Sequence, residues 1–455
     1  MKNFDYRDNE LCCEGVRIEE IAKKVGTPLY LYSQKALVDN YKAFDKAFKE
    51  IDHLICYSCK VNSNLSICKV LKEEGAGADV VSGGELYKAL KVGVDPKKIV
   101  FSGVGKTREE IKYALKNNIL MLNVESILEL ELTDEIAGRL KKKAPVALRI
   151  NPDIDPNTHP HISTGLAKSK FGIEISRAKE GYKKAKELEN IEVLGIHMHI
   201  GSQITELEPF VNSLGKIVEL IKELEKERIR LKYLDIGGGL GISYKKGEKA
   251  PTPKEFAERL LPLIKELKCK IILEPGRAIV GDAGILVTKV LYVKKTEEKS
   301  FVIVDAAMND LIRPSLYNAY HEIIPIKKLR TLPRGPRVPS GREANSPSGI
   351  SSPLGTRGEL SLGDLESPRD ERRTTVDVVG PVCESGDYFA KDRELAEVKS
   401  GDLLAILDAG AYGFSMSSNY NARPKVAEIL VEKDKFCIIR KRENYEDLIR
   451  GEQEE

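Results

Sequence analysis

The stretch HLICYSCK, residues 53–60, runs through four apolar positions and ends on a lysine. Taken alone it is a short strand with a cation at its C-terminal end. Further runs of the same kind follow: ADVVS (78–82), IVFSG (99–103), MLNV (121–124), VALRIN (146–151), LGIHMHI (194–200), YLDIGGG (233–239) and IILEPG (271–276). Between them lie segments such as SGGELYKALKVGV and SLGKIVELIKELEKERI, whose apolar residues recur at the three- and four-residue spacing of an amphipathic helix. Continuous apolar strands separated by helices are the pattern of a buried parallel sheet. Eight of them predict a closed (β/α)8 TIM-like barrel over about residues 28–280 rather than an open doubly wound sheet.

Past residue 280 the rhythm changes. GILVTKVLYVKK, SFVIVDA, TTVDVVGPV, DLLAILDAG and KFCIIRKR are strand-like, with turn residues between them and little helix. They predict a second, antiparallel β domain over residues 281–455, with residues 1–27 adding a strand and a short helix. The fold class is therefore α/β plus all-β. Residues 329–373 are rich in Pro, Gly, Ser and Arg and hold no aromatic. Such a stretch buries too little apolar surface to offset its ordering entropy, and it reads as a disordered surface insertion in the β domain.

Composition sets the outer limits. Hydrophobic residues make up 41% of the 455, charged residues 31%, and the formal net charge is +3. That suits a soluble protein and gives no reason to expect a nucleic-acid or membrane partner. The N-terminus MKNFDYRDNE has no apolar signal core, so cytoplasm is the default. Eight scattered cysteines do not make a secreted disulfide scaffold. Cys56 and Cys59 form a C-x-x-C, but no second Cys or His pair lies at zinc spacing, so no metal site is expected.

The working residues of such a barrel gather at the C-terminal ends of its strands. Those ends carry Lys60, His199, the run Gly237-Gly238-Gly239, and Glu274-Pro275-Gly276-Arg277. A lone lysine at a strand end is commonly a snorkelling surface residue, and three glycines also suit a plain turn. Together, after strands seven and eight, the glycines and EPGR form a credible phosphate cup. A lysine, a phosphate cup, a carboxylate and a histidine on one rim suggest pyridoxal phosphate. The lysine forms the Schiff base and needs a depressed pKa to attack, and a carboxylate, Glu274, faces the pyridine nitrogen. His197 shares the face of His199 at period two, either as a site residue or as a hydrogen-bonded histidine of the barrel interior.

The motifs YSCKVNSN, GADVVSGGEL, FSGVGKT, HMHIGSQI, DIGGGLGI, EPGRAIV, RPSLYNAYH, GPVCESGD and DAGAYGFSMSSNYNARP stand in order along nearly the whole chain outside 329–373. In them the sequence resembles the diaminopimelate decarboxylase family, whose alanine-racemase-type fold joins a barrel to a β domain. The resemblance implies Lys60 as the Schiff-base lysine, His199 stacked on the cofactor ring, and Glu274 on the pyridine nitrogen. It implies Ser202, Gly239, Gly276 and Arg277 around the phosphate, with Asp79 an acidic residue near the lysine. Arg277, Arg313, Tyr317, Glu384 and Tyr412 resemble the substrate-binding set, Tyr412 also lying near the cofactor. Cys383 resembles the acid that reprotonates the α-carbon, on a loop that implies a homodimer with shared sites.

Meso-2,6-diaminopimelate carries an amino-acid group at each end. Paired donors of an arginine suit its distal carboxylate, and Glu384 can pair with its distal ammonium. A polyamine-precursor decarboxylase of the same fold is the rival enzyme, since its substrates lack that carboxylate. A non-catalytic cofactor-binding relative is the rival of another class, which retention of Lys60, Cys383 and Glu384 opposes.

Overall fold

The computed structural model describes residues 3–155, 164, 169–328 and 373–453. Eight parallel strands pair in sequence: His53–Ser58, Gly77–Val80, Ile99–Phe101, Met121–Val124, Ala144–Asn151, Ile191–His197, Tyr233–Asp235 and Lys270–Leu273. The last pairs back onto the first, with Ile271 opposite His53, so the barrel closes. Helices return the chain between strands, and their starts are written in the sequence. Thr107 and Thr252 each accept from the N–H of a glutamate three residues on, Glu110 and Glu255, which bonds back to the cap; these capping boxes satisfy donors the helix cannot.

Every expected strand is present, but most stop short of the residues that made them look functional. His199, the Gly237–Gly239 run and Glu274–Arg277 all lie beyond the last ladder pair. These reactive groups sit on the turns that follow the strands.

The second sheet is mainly antiparallel and is built on the long strand Gly284–Lys295. This strand pairs with Ser300–Val304, Leu403–Ile406 and Leu29–Ser33. Arg373–Val379 pairs with Tyr388–Ala396 on one side, and Ala427–Glu432 with Lys435–Arg440 on the other. Two pairings are parallel: Ser300–Val304 with Arg373–Val379, and Leu29–Ser33 with Ala427–Glu432. The boundary expected at residue 28 is thereby displaced. Leu29–Ser33 is buried throughout within the second sheet, and the barrel begins at the helix Gln34–Ala47. The N-terminal residues form a three-stranded sheet and the helix Ile18–Val25. The expected insertion 329–373 lies outside the described residues except for Arg373, which opens a strand.

Glu428 ties the second sheet to the barrel at Asn64, the cap of the helix Leu65–Glu73. Fully buried on the second sheet, it accepts from Tyr32 (2.9 Å) and Arg440 (2.7 Å), and from Asn64 of the barrel (2.8 Å). A buried carboxylate is tolerable only when its lone pairs are matched in this way.

Candidate active site

Side chains alternate between the two faces of a strand, and the inward face of this barrel changes character along its length. At the N-terminal end Leu54, Cys56, Val100, Met121, Ala147 and Ile272 close the interior with an apolar plug. Two residues further along the strands the inward positions are Ser58, Ser102, Asn123, Arg149 and Glu274, with Asp79, His197 and Asp235 beside them, all buried. Cys56 belongs to the plug and Cys59 to the main core, so the C-x-x-C does not present both thiols to one place.

Above this polar layer opens a cavity of about 710 Å³ lined by Lys60, His199, Ser202, Glu274 and Arg277 from the barrel, and by Arg313, Tyr317 and Tyr412 from beyond it. Lys60 Nζ donates to Asp79 Oδ2 at 2.8 Å, and the same oxygen accepts from Ser58 at 2.6 Å. Burial would depress the Lys60 ammonium, but the carboxylates of Asp79 and Glu274 outweigh it and push its pKa up. Two acids near one amine thus oppose the depression that burial alone would bring. Glu274 lies 3.4 Å from His197 Nε2. Burial favours its neutral form, yet His197 and Lys60 hold it well below the usual carboxylate range. Burial and the neighbouring Glu274 push Asp235 well above that range. His199 is driven well below the usual histidine value by burial, Lys60 and Arg149; its Nδ1 accepts from Gly238 N–H at 3.3 Å.

The glycine run forms a tight cup. Gly239 has φ +111°, and a Cβ there would collide with the carbonyl of Gly201; only glycine takes that conformation without strain. Gly276 fits for another reason, since a Cβ would strike Val61 beside Lys60. Arg277 donates to Ser202 Oγ at 3.2 Å and to the Tyr244 hydroxyl at 2.5 Å, while its Nε is buried with no partner among the described residues.

The second sheet supplies the opposite wall. Arg313 opens a short helix, Arg313–Tyr317, and its guanidinium lies 4.7 Å from the centre of the Tyr244 ring. Tyr412 places its ring 5.0 Å from the Arg277 guanidinium. Its φ of +55° is rare for an aromatic residue and is held by the bond from its N–H to Val61 O at 3.0 Å. Strain of this kind persists where the surroundings over-determine it, often at working sites. Arg277 and Arg313 are both buried, and among the described residues neither has a carboxylate within ion-pairing distance.

Cys383 and Glu384 are not brought to this cavity. Both are exposed; Cys383 N–H donates to Asn421 Oδ1 at 3.2 Å, and Glu384 accepts from the Tyr420 hydroxyl at 2.8 Å. Conversely, Tyr244, Arg149 and Ser102 line the cavity without having been singled out. Arg149 had a signal in VALRIN, a charge inside a buried strand; Tyr244, in a loop, had none.

The family described as pyridoxal-dependent decarboxylase, pyridoxal binding domain, matches residues 34–281. Diaminopimelate decarboxylase of Aquifex aeolicus is 48% identical over 446 residues, covering 98% of this chain and 96% of that protein. The crystal structure of diaminopimelate decarboxylase from Helicobacter pylori complexed with L-lysine superposes with a TM-score of 0.83 at 44% identity, covering 95% and 98% of the two chains. That of the M. jannaschii enzyme in co-complex with L-lysine gives 0.87 at 39% identity, covering 100% and 98%. Among the described residues no helix is long and apolar enough to cross a membrane.

Proposed function

The chain belongs to the diaminopimelate decarboxylase family, and from that membership we propose that it converts meso-2,6-diaminopimelate to L-lysine and carbon dioxide with pyridoxal 5'-phosphate as cofactor, the last step of lysine biosynthesis. One observation carries the substrate: Arg313 is a buried guanidinium lacking a carboxylate partner among the described residues. A buried charge without a counter-ion is costly, and a substrate with a second carboxylate supplies what is missing.

The residues also suit the cofactor. Arg277 Nε, unpartnered among the described residues, and the glycine cup that a Cβ would fill match a phosphate in charge and in close backbone approach. Ser202, Gly239, Gly276 and Arg277 would hold that phosphate, Lys60 would be the point of attachment, and His199, with Tyr412 nearby, would lie along the ring. Glu274, kept anionic, would face the ring nitrogen. Bound there, pyridoxal phosphate supplies an electron sink for the pair left when a carboxylate departs as carbon dioxide. Lys60 has to shed a proton before Nζ can act as a nucleophile, and Asp79 Oδ2 is the acceptor within 2.8 Å. The low pKa of His199 keeps its imidazole uncharged, so it does not compete with Lys60 for the acids.

Cys383 and Glu384 are part of the proposal through a homodimer, in which each pair completes the site of the partner subunit; their exposure away from their own cavity supports that reading. Mixing inactive Lys60→Ala with inactive Cys383→Ala protein, after dissociation and reassembly, is expected to restore roughly a quarter of wild-type activity, since half the dimers are hybrids with one intact site. No recovery would exclude shared sites.

Turnover assays test the substrate. Carbon dioxide release from meso-diaminopimelate is expected to exceed that from ornithine, arginine or carboxynorspermidine by at least about a hundredfold, as sites built for a polar group reject analogues lacking it. Equal turnover of a substrate without the second carboxylate would defeat the assignment.

A further inference from the structure

His321 ends the motif RPSLYNAYH and is fully buried behind Arg313. Its Nε2 lies 2.9 Å from Arg313 Nη1 and its Nδ1 lies 2.7 Å from the Leu407 carbonyl. A guanidinium can only donate and a carbonyl can only accept. The imidazole must therefore be neutral, with its hydrogen on Nδ1 and its lone pair on Nε2 turned to Arg313. The surroundings enforce that form: burial, then Arg313, and more weakly Arg277 and Arg393, lower its pKa to about 3, against the opposing pull of the Leu407 carbonyl. The ring is further fixed edge-on to Tyr244 at 5.3 Å, and its own carbonyl accepts from Arg393 at 2.9 Å.

Arg313 is thus held on two sides, by the Nε2 lone pair and by the face of Tyr244. An arginine side chain has large rotamer freedom, and a fork that must meet a carboxylate with two parallel bonds gains affinity when that freedom is removed beforehand. We propose that His321 is a positioning residue for substrate selectivity: by accepting from Arg313 Nη1 it aims the guanidinium at the far carboxylate of a diamino diacid. The inference rests on the reading above that Arg313 meets that carboxylate.

The test compares three holoenzyme variants by steady-state kinetics, with the cofactor absorbance band as a check on the barrel site. His321→Leu removes the acceptor; KM for meso-diaminopimelate is expected to rise about tenfold or more while kcat stays within about threefold, the split expected when binding alone is weakened. His321→Gln retains one acceptor and one donor and is expected to restore KM to within about threefold of wild type. Should the leucine variant not fold, His321→Glu carries the test, because a carboxylate there would pair with the fork and compete with the substrate, raising KM by about tenfold or more. Unchanged KM in the folded leucine or glutamate variant overturns the inference, as does a glutamine variant no better than leucine. If Arg313→Met leaves KM unchanged, the reading of Arg313 fails; if only the His321 variants do, that reading stands and the positioning role alone is lost.

Discussion

Lys60→Ala is expected to reduce carbon dioxide release from diaminopimelate by about four orders of magnitude or more, since among the described residues lining the cavity no other lysine is present. The absorbance of attached cofactor, expected at ~420 nm, should vanish with it. The same substitution changes the apoprotein. Asp79 is fully buried and would lose the ammonium that its Oδ2 meets at 2.8 Å. Breaking a buried pair costs roughly 3–5 kcal/mol. Lys60 keeps 30% of its side chain exposed to the cavity, so the destabilisation should fall below that range. Lys60→Arg separates the two effects, because it retains a cation without an amine that can attach the cofactor. Thermal melts should place the arginine variant closer to wild type than the alanine variant, while both remain inactive. A wild-type protein that shows the band but releases no carbon dioxide from any candidate substrate would favour a binding protein over an enzyme.

Arg313→Met is expected to lower kcat/KM for diaminopimelate by roughly 2–5 kcal/mol, or about thirty- to several thousand-fold, the cost of removing one partner of a buried charge pair. The cofactor band should persist, because Arg313 stands on the short helix Arg313–Tyr317 and not in the glycine cup. Stability should barely move. Removing a buried cation that lacks a counter-ion among the described residues relieves a desolvation cost, while the His321 Nε2 left without a donor costs about 1–3 kcal/mol. These terms oppose each other, so activity and melting temperature should part company. A large fall in melting temperature with unchanged KM would make Arg313 structural and sink its substrate role.

The barrel was legible because its evidence is repetitive. Each strand such as MLNV carries its own apolar run, and closure follows from counting them. The second sheet was harder. Leu29–Ser33 sits in the rhythm of the barrel, and nothing local in LYLYS tells which sheet will claim it; partners more than 250 residues away decide. The strand Tyr388–Ala396 went unseen because YFAKDRELA has an exposed charged middle, which blurs the apolar pattern. Site residues on turns with glycine or proline stood out, as in DIGGG and EPGR. Tyr244 and His321 did not, because what they do depends on the arginines brought beside them by the fold. The resemblance put an acid near Lys60, but which atoms meet depended on the register of two neighbouring strands, Ser58 opposite Asp79.

The place of Leu29–Ser33 bears on the order in which the molecule can be assembled on the ribosome. This early strand lies between Gly284–Lys295 and Ala427–Glu432, so its two edges must wait for chain that is synthesised much later. The barrel strands, by contrast, are complete by Leu273. Domains generally fold as units in the order they emerge, and contacts of long sequence separation form slowly. Lys60 and the glycine cup can therefore be in place while Arg313 and Tyr412 still lack the sheet that carries them. A nascent chain released early would hold the cofactor end of the site without the end that selects the substrate.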